Sequence, residues 1–146
     1  MTAKSFSPAK ILVIEDNPAD VFLLRHALNE LGEPYILEVL RDGGAAIEFI
    51  ALQRAAGPND EPCVIVLDLH LPKHDGTAVL KAIRQEPVLS HVQVIALTTL
   101  ASPRDEREVR ELGVRLYKAK PMQVEEWIKL AGEILEICRE HISATV

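Results

Sequence analysis

Three continuous aliphatic runs constrain this chain more than anything else in it: Ile11-Leu12-Val13-Ile14, Val64-Ile65-Val66-Leu67 and Val94-Ile95-Ala96-Leu97. Each is strand-sized, and none alternates with polar residues. A strand with one face in water alternates, whereas one that is apolar throughout is covered on both faces, as the inner strands of a parallel sheet are. Tyr35 to Leu40 and Val114 to Lys118 mix apolar and polar residues, as strands nearer a sheet edge do.

Helical periods separate these five strands. Val21, Leu24, Ala27, Leu28 and Leu31 recur at helix spacing between an Asn17-Pro18 start and a Gly32 stop. Ala45 to Ala56, Thr77 to Gln85, Pro103 to Leu112 and Val124 to His141 complete the alternation, and Ser102-Pro103 with Asp105 resembles a capping box ahead of the fourth helix. A strand followed by a helix, five times over, predicts an α/β fold with right-handed crossovers and helices on both faces of the sheet. The closest small architecture is the flavodoxin-like (βα)5 fold, a doubly wound parallel sheet of strand order 2-1-3-4-5. Its ligands bind beyond the carboxyl ends of the strands, beside the first and third.

The 146 residues are enough for one core without staples. The expected division is a flexible segment 1–9, one domain over 10–142 and a tail 143–146, with Gly57 to Pro62 a loop and no linker leading to an output domain. A net charge of -6 disfavours nucleic acid and anionic lipid as partners. No apolar run is long enough for a membrane span, and Met1 to Lys10 lacks the apolar stretch of a secretory signal, so a cytoplasmic protein is expected. Cys63 and Cys138 lie far apart in sequence, with no Cys or His at metal-ligand spacing, and are expected as two separate buried thiols.

Reactive groups gather where the strands end. The first strand ends in Glu15-Asp16, the third in Asp68, the fourth in Thr98, and the fifth runs through Tyr117-Lys118-Ala119 into Lys120-Pro121. Only the second, ending in Leu40-Arg41-Asp42, brings nothing obvious, and the predicted order puts it farthest from the crevice. Three converging carboxylates would repel one another unless a cation intervened, and magnesium suits an all-oxygen site that keeps several waters. Asp16 and Asp68 are the expected direct ligands and Glu15 the outer one.

Asp68 emerges from a buried strand, an expensive place for an idle carboxylate. A carboxylate there can attack phosphorus and form an acyl phosphate. Lys120 would bring a point charge to the phosphoryl oxygens, and the Thr98 hydroxyl a hydrogen bond. Taken singly, Glu15-Asp16 reads as a solvated pair, Lys120 as a turn residue and Thr98 as a cap. Their shared position at the strand ends outweighs those readings. Asp20, in the first turn of the first helix, is read as lying outside the chemistry.

Four motifs, Ile11-Leu12-Val13-Ile14-Glu15-Asp16-Asn17, Asp68-Leu69-His70-Leu71-Pro72-Lys73-His74-Asp75-Gly76, Leu97-Thr98-Thr99 and Lys120-Pro121, stand in the order seen in bacterial response regulator receivers, and the chain resembles that family from about Lys10 to the last helix. The resemblance implies that Asp68 accepts a phosphoryl group from a phosphohistidine on a sensor kinase or phosphotransfer protein, becoming an aspartyl phosphate. It implies magnesium bound by Asp16, Asp68 and the main-chain carbonyl of His70. Thr98 and Tyr117 occupy the family's switch positions, and a cis bond is implied between Lys120 and Pro121. His70 and Thr99 flank the expected entrance to the site. Met122 stands where the family often has an aromatic residue, and Leu71 where it often has methionine. Asp68 to Lys73 and Asn17 to Asp20 further resemble stand-alone regulators that serve phytochrome-type kinases.

Such a protein is a signalling phosphoacceptor rather than an enzyme acting on a separate substrate. Two other readings compete: a degenerate receiver that only binds partners, and a haloacid-dehalogenase-like phosphohydrolase. The latter needs a second acid two residues after the nucleophile, where His70 stands. In the last helix Trp127, Ile128, Ala131, Ile134, Leu135 and Cys138 form the core stripe. Leu130 and Ile137 widen its apolar face into a candidate edge for a homodimer or partner.

Overall fold

The computed structural model describes residues 8–56, 60–72 and 74–144. Most of the expected N-terminal segment, Gly57-Pro58-Asn59 of the predicted loop and Lys73 of the third-strand motif lie outside the described residues. Five strands, β1 (Ala9–Ile14), β2 (Tyr35–Leu40), β3 (Val64–Asp68), β4 (Gln93–Thr98) and β5 (Leu116–Ala119), alternate with five helices. The helices are α1 (Pro18–Leu31), α2 (Gly43–Ala56), α3 (Gly76–Gln85), α4 (Pro103–Glu111) and α5 (Val124–Ala144). The sheet is parallel throughout, in the order β2-β1-β3-β4-β5.

Each aliphatic run feeds two cores at once. Ile11, Val13, Val64, Val66, Ile95 and Leu97 pack with α1 and α5 on one face of the sheet. Leu12, Ile14, Ile65, Leu67, Val94 and Ala96 pack with α2, α3 and α4 on the other. A side chain alternates faces at every residue of a strand, so a sheet covered twice requires apolar residues at both parities. The edge strand β2 is relieved of that demand, and its Ile36 and Glu38 are exposed.

Local chemistry sets the helix ends. Asn17 caps α1 by accepting from the Ala19 N–H at 2.9 Å, and Gly32 closes the helix in the left-handed conformation at φ 70°. Ser102 caps α4 through the Asp105 N–H at 3.1 Å. The Arg84 guanidinium, on α3, donates to the carbonyls of Leu112 at 2.8 Å, Ser90 at 3.1 Å, Val92 at 2.8 Å and Gly113 at 3.1 Å. It thereby ties α3 to the C-terminus of α4 and to the turn before β4.

Two expectations are corrected here. Leu130 and Ile137 are buried, not a docking edge, because α5 packs against both the sheet and α1 and so hides a wider arc than one stripe. Cys63 and Cys138 are joined in a disulfide, not two separate thiols. Seventy-five residues separate them in sequence, but the topology brings the start of β3 and the later turns of α5 together, with Cα atoms 5.0 Å apart.

Candidate functional site

The carboxyl ends of β1, β3, β4 and β5 form one edge of the sheet, and side-chain parity divides the groups delivered there. Asp68 continues the Val64, Val66 series and Glu15 the Ile11, Val13 series, so both face the α1 and α5 side. Thr98 continues the Val94, Ala96 series toward α2 to α4. The site therefore has a charged half and a hydroxyl half.

Lys120 organises the charged half. Its backbone N–H donates to the Thr98 carbonyl at 2.8 Å. Its Nζ lies 2.8 Å from Glu15 Oε1, 2.8 Å from Asp20 Oδ2 and 3.3 Å from Asp68 Oδ2. No cis peptide bond occurs among the described residues, so the implied cis Lys120-Pro121 bond is not found. The anchored backbone and the lysine's flexible four-carbon stem bring the ammonium to the carboxylates without it.

Glu15 and Asp68 are buried, at 4% and 3% exposure. Burial pushes the Glu15 carboxyl up to about 8; the Lys120 hydrogen bond opposes that rise, and Asp68 adds to it. Burial works to lower the Lys120 ammonium, but hydrogen bonds to Asp20 and Glu15 and the charges of Glu15 and Asp68 outweigh it and hold the ammonium above its ordinary value. Glu15, Asp16 and Asp68 each offer a carboxylate oxygen, all within 4.8 Å of one another. Three acids contact the one ammonium, Glu15, Asp20 and Asp68, and Asp16 joins Glu15 and Asp68 in an all-oxygen cluster whose donors fit a hard divalent cation. Asp16 is exposed. Glu15 is already engaged, by Lys120 and by the Asn17 N–H at 3.1 Å.

Asp20 is the residue that the sequence reading set apart from the candidate site and that the structure brings to it, 2.8 Å from Lys120 Nζ. An acid in the first turn of a helix is ordinary, since it complements the helix dipole. The available signal was positional: α1 begins directly after Glu15-Asp16, so its first turn overhangs the same strand ends.

In the hydroxyl half, Thr98 is fully buried. Its Oγ1 donates to the Leu100 carbonyl at 3.0 Å and lies 2.8 Å from His70 Nε2. The His70 backbone N–H donates to Asp68 Oδ1 at 2.9 Å, so this one residue touches both halves. The Tyr117 hydroxyl accepts from the Ser102 N–H at 3.1 Å, and Thr99 is exposed. The loop that carries His70 closes on Gly76, whose N–H donates to the Leu69 carbonyl at 3.2 Å. A Cβ there would lie 2.5 Å from Leu69 Cα and 2.7 Å from the Asp68 carbonyl oxygen.

A family model described as the response regulator receiver domain matches residues 11–131. The chain is 37% identical over 129 residues to FilR2, a probable methanogenesis regulatory protein of Methanothrix harundinacea, covering 88% of this chain and 83% of that protein. It is 36% identical over 134 residues to the response regulator Rcp1 of Synechocystis, covering 92% and 91% of the two. Against the manganese-bound crystal structure of Rcp1, at 36% identity, the TM-score is 0.75, with 87% and 91% of the chains covered. Against the phosphorylated cyanobacterial phytochrome response regulator RcpA the identity is 31% and the TM-score 0.78, with 89% and 93% covered.

Proposed function

The chain belongs to the response regulator receiver family, and on that premise we propose that it is a phosphoacceptor switch. Asp68 takes a phosphoryl group from a phosphohistidine of a sensor histidine kinase or phosphotransfer protein, and a protein partner reads the modified state. The observation that carries this reading is the buried Asp68 carboxylate at the end of β3, with an ammonium 3.3 Å away and two further carboxylates positioned to share a cation.

In the transfer an Asp68 oxygen attacks phosphorus, the new O–P bond forms as the N–P bond to the donor imidazole breaks, and that imidazole leaves neutral, keeping the proton already on its other ring nitrogen. The His70 N–H keeps one Asp68 oxygen oriented. Lys120 balances charge gathering on the phosphoryl oxygens. Magnesium, held by Asp16, Asp68 and the main-chain carbonyl of His70 with Glu15 outside them, would supply the remaining neutralisation of those oxygens. The manganese-bound Rcp1 and phosphorylated RcpA structures support both parts of the reading by similarity. Thr98 and Tyr117 are the proposed switch pair, with the Thr98 hydroxyl exchanging its present partners for a phosphoryl oxygen. The likeness to RcpA, named as a phytochrome response regulator, supports a phytochrome-type kinase as the donor.

The test is incubation with magnesium and a small acyl phosphate, followed by intact mass. One base-labile phosphoryl group is expected, lost in Asp68→Asn and kept in Asp60→Asn, whose exposed side chain pairs with Lys10. Absence of the adduct with both this donor and a histidine kinase would refute the reading. A phosphohydrolase finds no support at position 70, where a histidine bonded to Thr98 stands in place of the acid.

A further inference from the structure

We propose that Asp20 is a positioning residue for phosphoryl acceptance: it parks the Lys120 ammonium in the resting cluster and gives it up when Asp68 is modified. The proposal rests on the phosphoacceptor reading of Asp68 and goes beyond it by assigning the residue that competes with the phosphoryl group for Lys120.

An ammonium has three N–H donors. In the resting site Nζ donates to Asp20 at 2.8 Å and to Asp68 at the longer 3.3 Å, and it is ion-paired with Glu15 at 2.8 Å. The ammonium is thus held off the nucleophile, toward the other two acids. A phosphoryl group on Asp68 removes that carboxylate's own charge and adds acceptor oxygens on the nucleophile's side, so an ammonium drawn toward them has to lengthen its contact with Glu15 or with Asp20. The cheaper to lengthen is the one whose carboxylate water can better solvate afterwards. Side-chain exposure is 2% for Asp68, 5% for Glu15 and 17% for Asp20, which singles out Asp20. The Glu15 carboxylate is further tied to the Asn17 N–H, and no comparable main-chain tether to Asp20 is seen among the described residues.

Helix-dipole compensation alone accounts for an acid at this position. It does not account for the side chain turning from solvent to a lysine one hundred residues away. A purely dipolar role predicts a loss of stability on neutralisation and no change in preference between resting and modified states. A parking role predicts that neutralising Asp20 favours the modified state, because a lysine N–H is freed and one negative charge leaves the neighbourhood of the incoming anion.

Trp127 is the chain's single tryptophan and lines the same small cavity as Glu15, Asp20 and Asp68, so its fluorescence reports on the site. The experiment titrates beryllium fluoride, a phosphoryl mimic, into magnesium-saturated wild type, Asp20→Asn, Asp20→Ser and Asp20→Glu. Magnesium affinity is measured separately. Both neutral variants are expected to bind the mimic about threefold to fivefold more tightly, the range of a partly exposed ion pair. Their magnesium affinity stays level or falls, since a carboxylate has been removed, and Asp20→Glu behaves as wild type. Thermal melts identify any variant that fails to fold, and the two neutral replacements back each other up. Unchanged or weaker mimic binding in folded Asp20→Asn or Asp20→Ser overturns the parking role. Failure of the wild type to bind the mimic and to take a phosphoryl group overturns the underlying phosphoacceptor reading as well, so the two failures are told apart.

Discussion

The imidazole Nε2 of His70 lies 2.8 Å from the hydroxyl of Thr98 and links the loop after β3 to the end of β4. With Thr98 donating to the Leu100 carbonyl, the ring N–H is the donor to Thr98. The hydroxyl is thereby committed to the far side of the site from Lys120. His70→Ala removes one competitor for it, and about twofold to fivefold tighter binding of beryllium fluoride is expected. Equal binding by the wild type and His70→Ala, measured by Trp127 fluorescence, would show that the contact does not restrain the switch.

Gly76 fixes the loop beneath that histidine. Its constraint is close approach, since a Cβ would be driven against Leu69 and Asp68 backbone atoms that have no flexible end to yield. Gly76→Ala is expected to cost about 1–3 kcal/mol in urea unfolding, as overpacking does. It is also expected to slow acyl-phosphate labelling of Asp68 by displacing the strand end. Labelling at the wild-type rate in a destabilised variant would separate the loop's structural part from its effect on the nucleophile.

Arg84 supplies a different kind of fastening. Its guanidinium satisfies four carbonyls, two of them at the C-terminus of α4 where a positive charge is favoured. Arg84→Lys keeps the charge and loses the planar fork, and a loss of about 1–3 kcal/mol is expected from chemical denaturation. A change too small to resolve would mean that water replaces these bonds without penalty.

Glu15 predicts a pH dependence in chelator-treated protein. Its carboxyl rises from an ordinary 4.5 to about 8 on folding, so the folded state holds a proton that the unfolded chain has released. The associated stability is fully present below about pH 4.5 and is lost as pH rises through about 8. Lys120 shifts in the opposite part of the scale and adds nothing within that window. Melting temperatures of wild type are expected to fall more steeply than those of Glu15→Gln across this range, and magnesium at the upper end should restore the wild type. Parallel curves for the two proteins would refute the assignment.

Most of the fold was written in the periodicity of the chain, because a twice-covered parallel sheet needs aliphatic residues at both parities and few other arrangements do. Strand order came from likening that alternation to the flavodoxin-like architecture. Glu15, Asp16, Asp68, Thr98 and Lys120 were legible because each ends a strand, and strand ends in this architecture share one edge. Relationships across the fold left weaker traces. Asp20 looked like an ordinary first-turn acid until α1 was seen to overhang the strand ends. Leu130 and Ile137 looked like a spare apolar flank until the structure showed both buried in the cluster that α5 forms with the sheet and α1. The pairing of Cys63 with Cys138 depended on which helix crosses which strand, and spacing along the chain carries no record of that.

The cross-link between Cys63 and Cys138 also has a mechanical meaning. Trp127, near the start of α5, borders the cavity beside Asp68, whereas Cys138 is bonded to the opposite end of the same strand, β3. The helix is tied covalently to the sheet at its remote end, and at the end next to Lys120 it is held by packing, through Trp127, Leu130 and Ala131. Any displacement of α5 would therefore pivot about its covalent tie and be widest at the first turn, beside Met122 and Val124, whose side chains are already exposed.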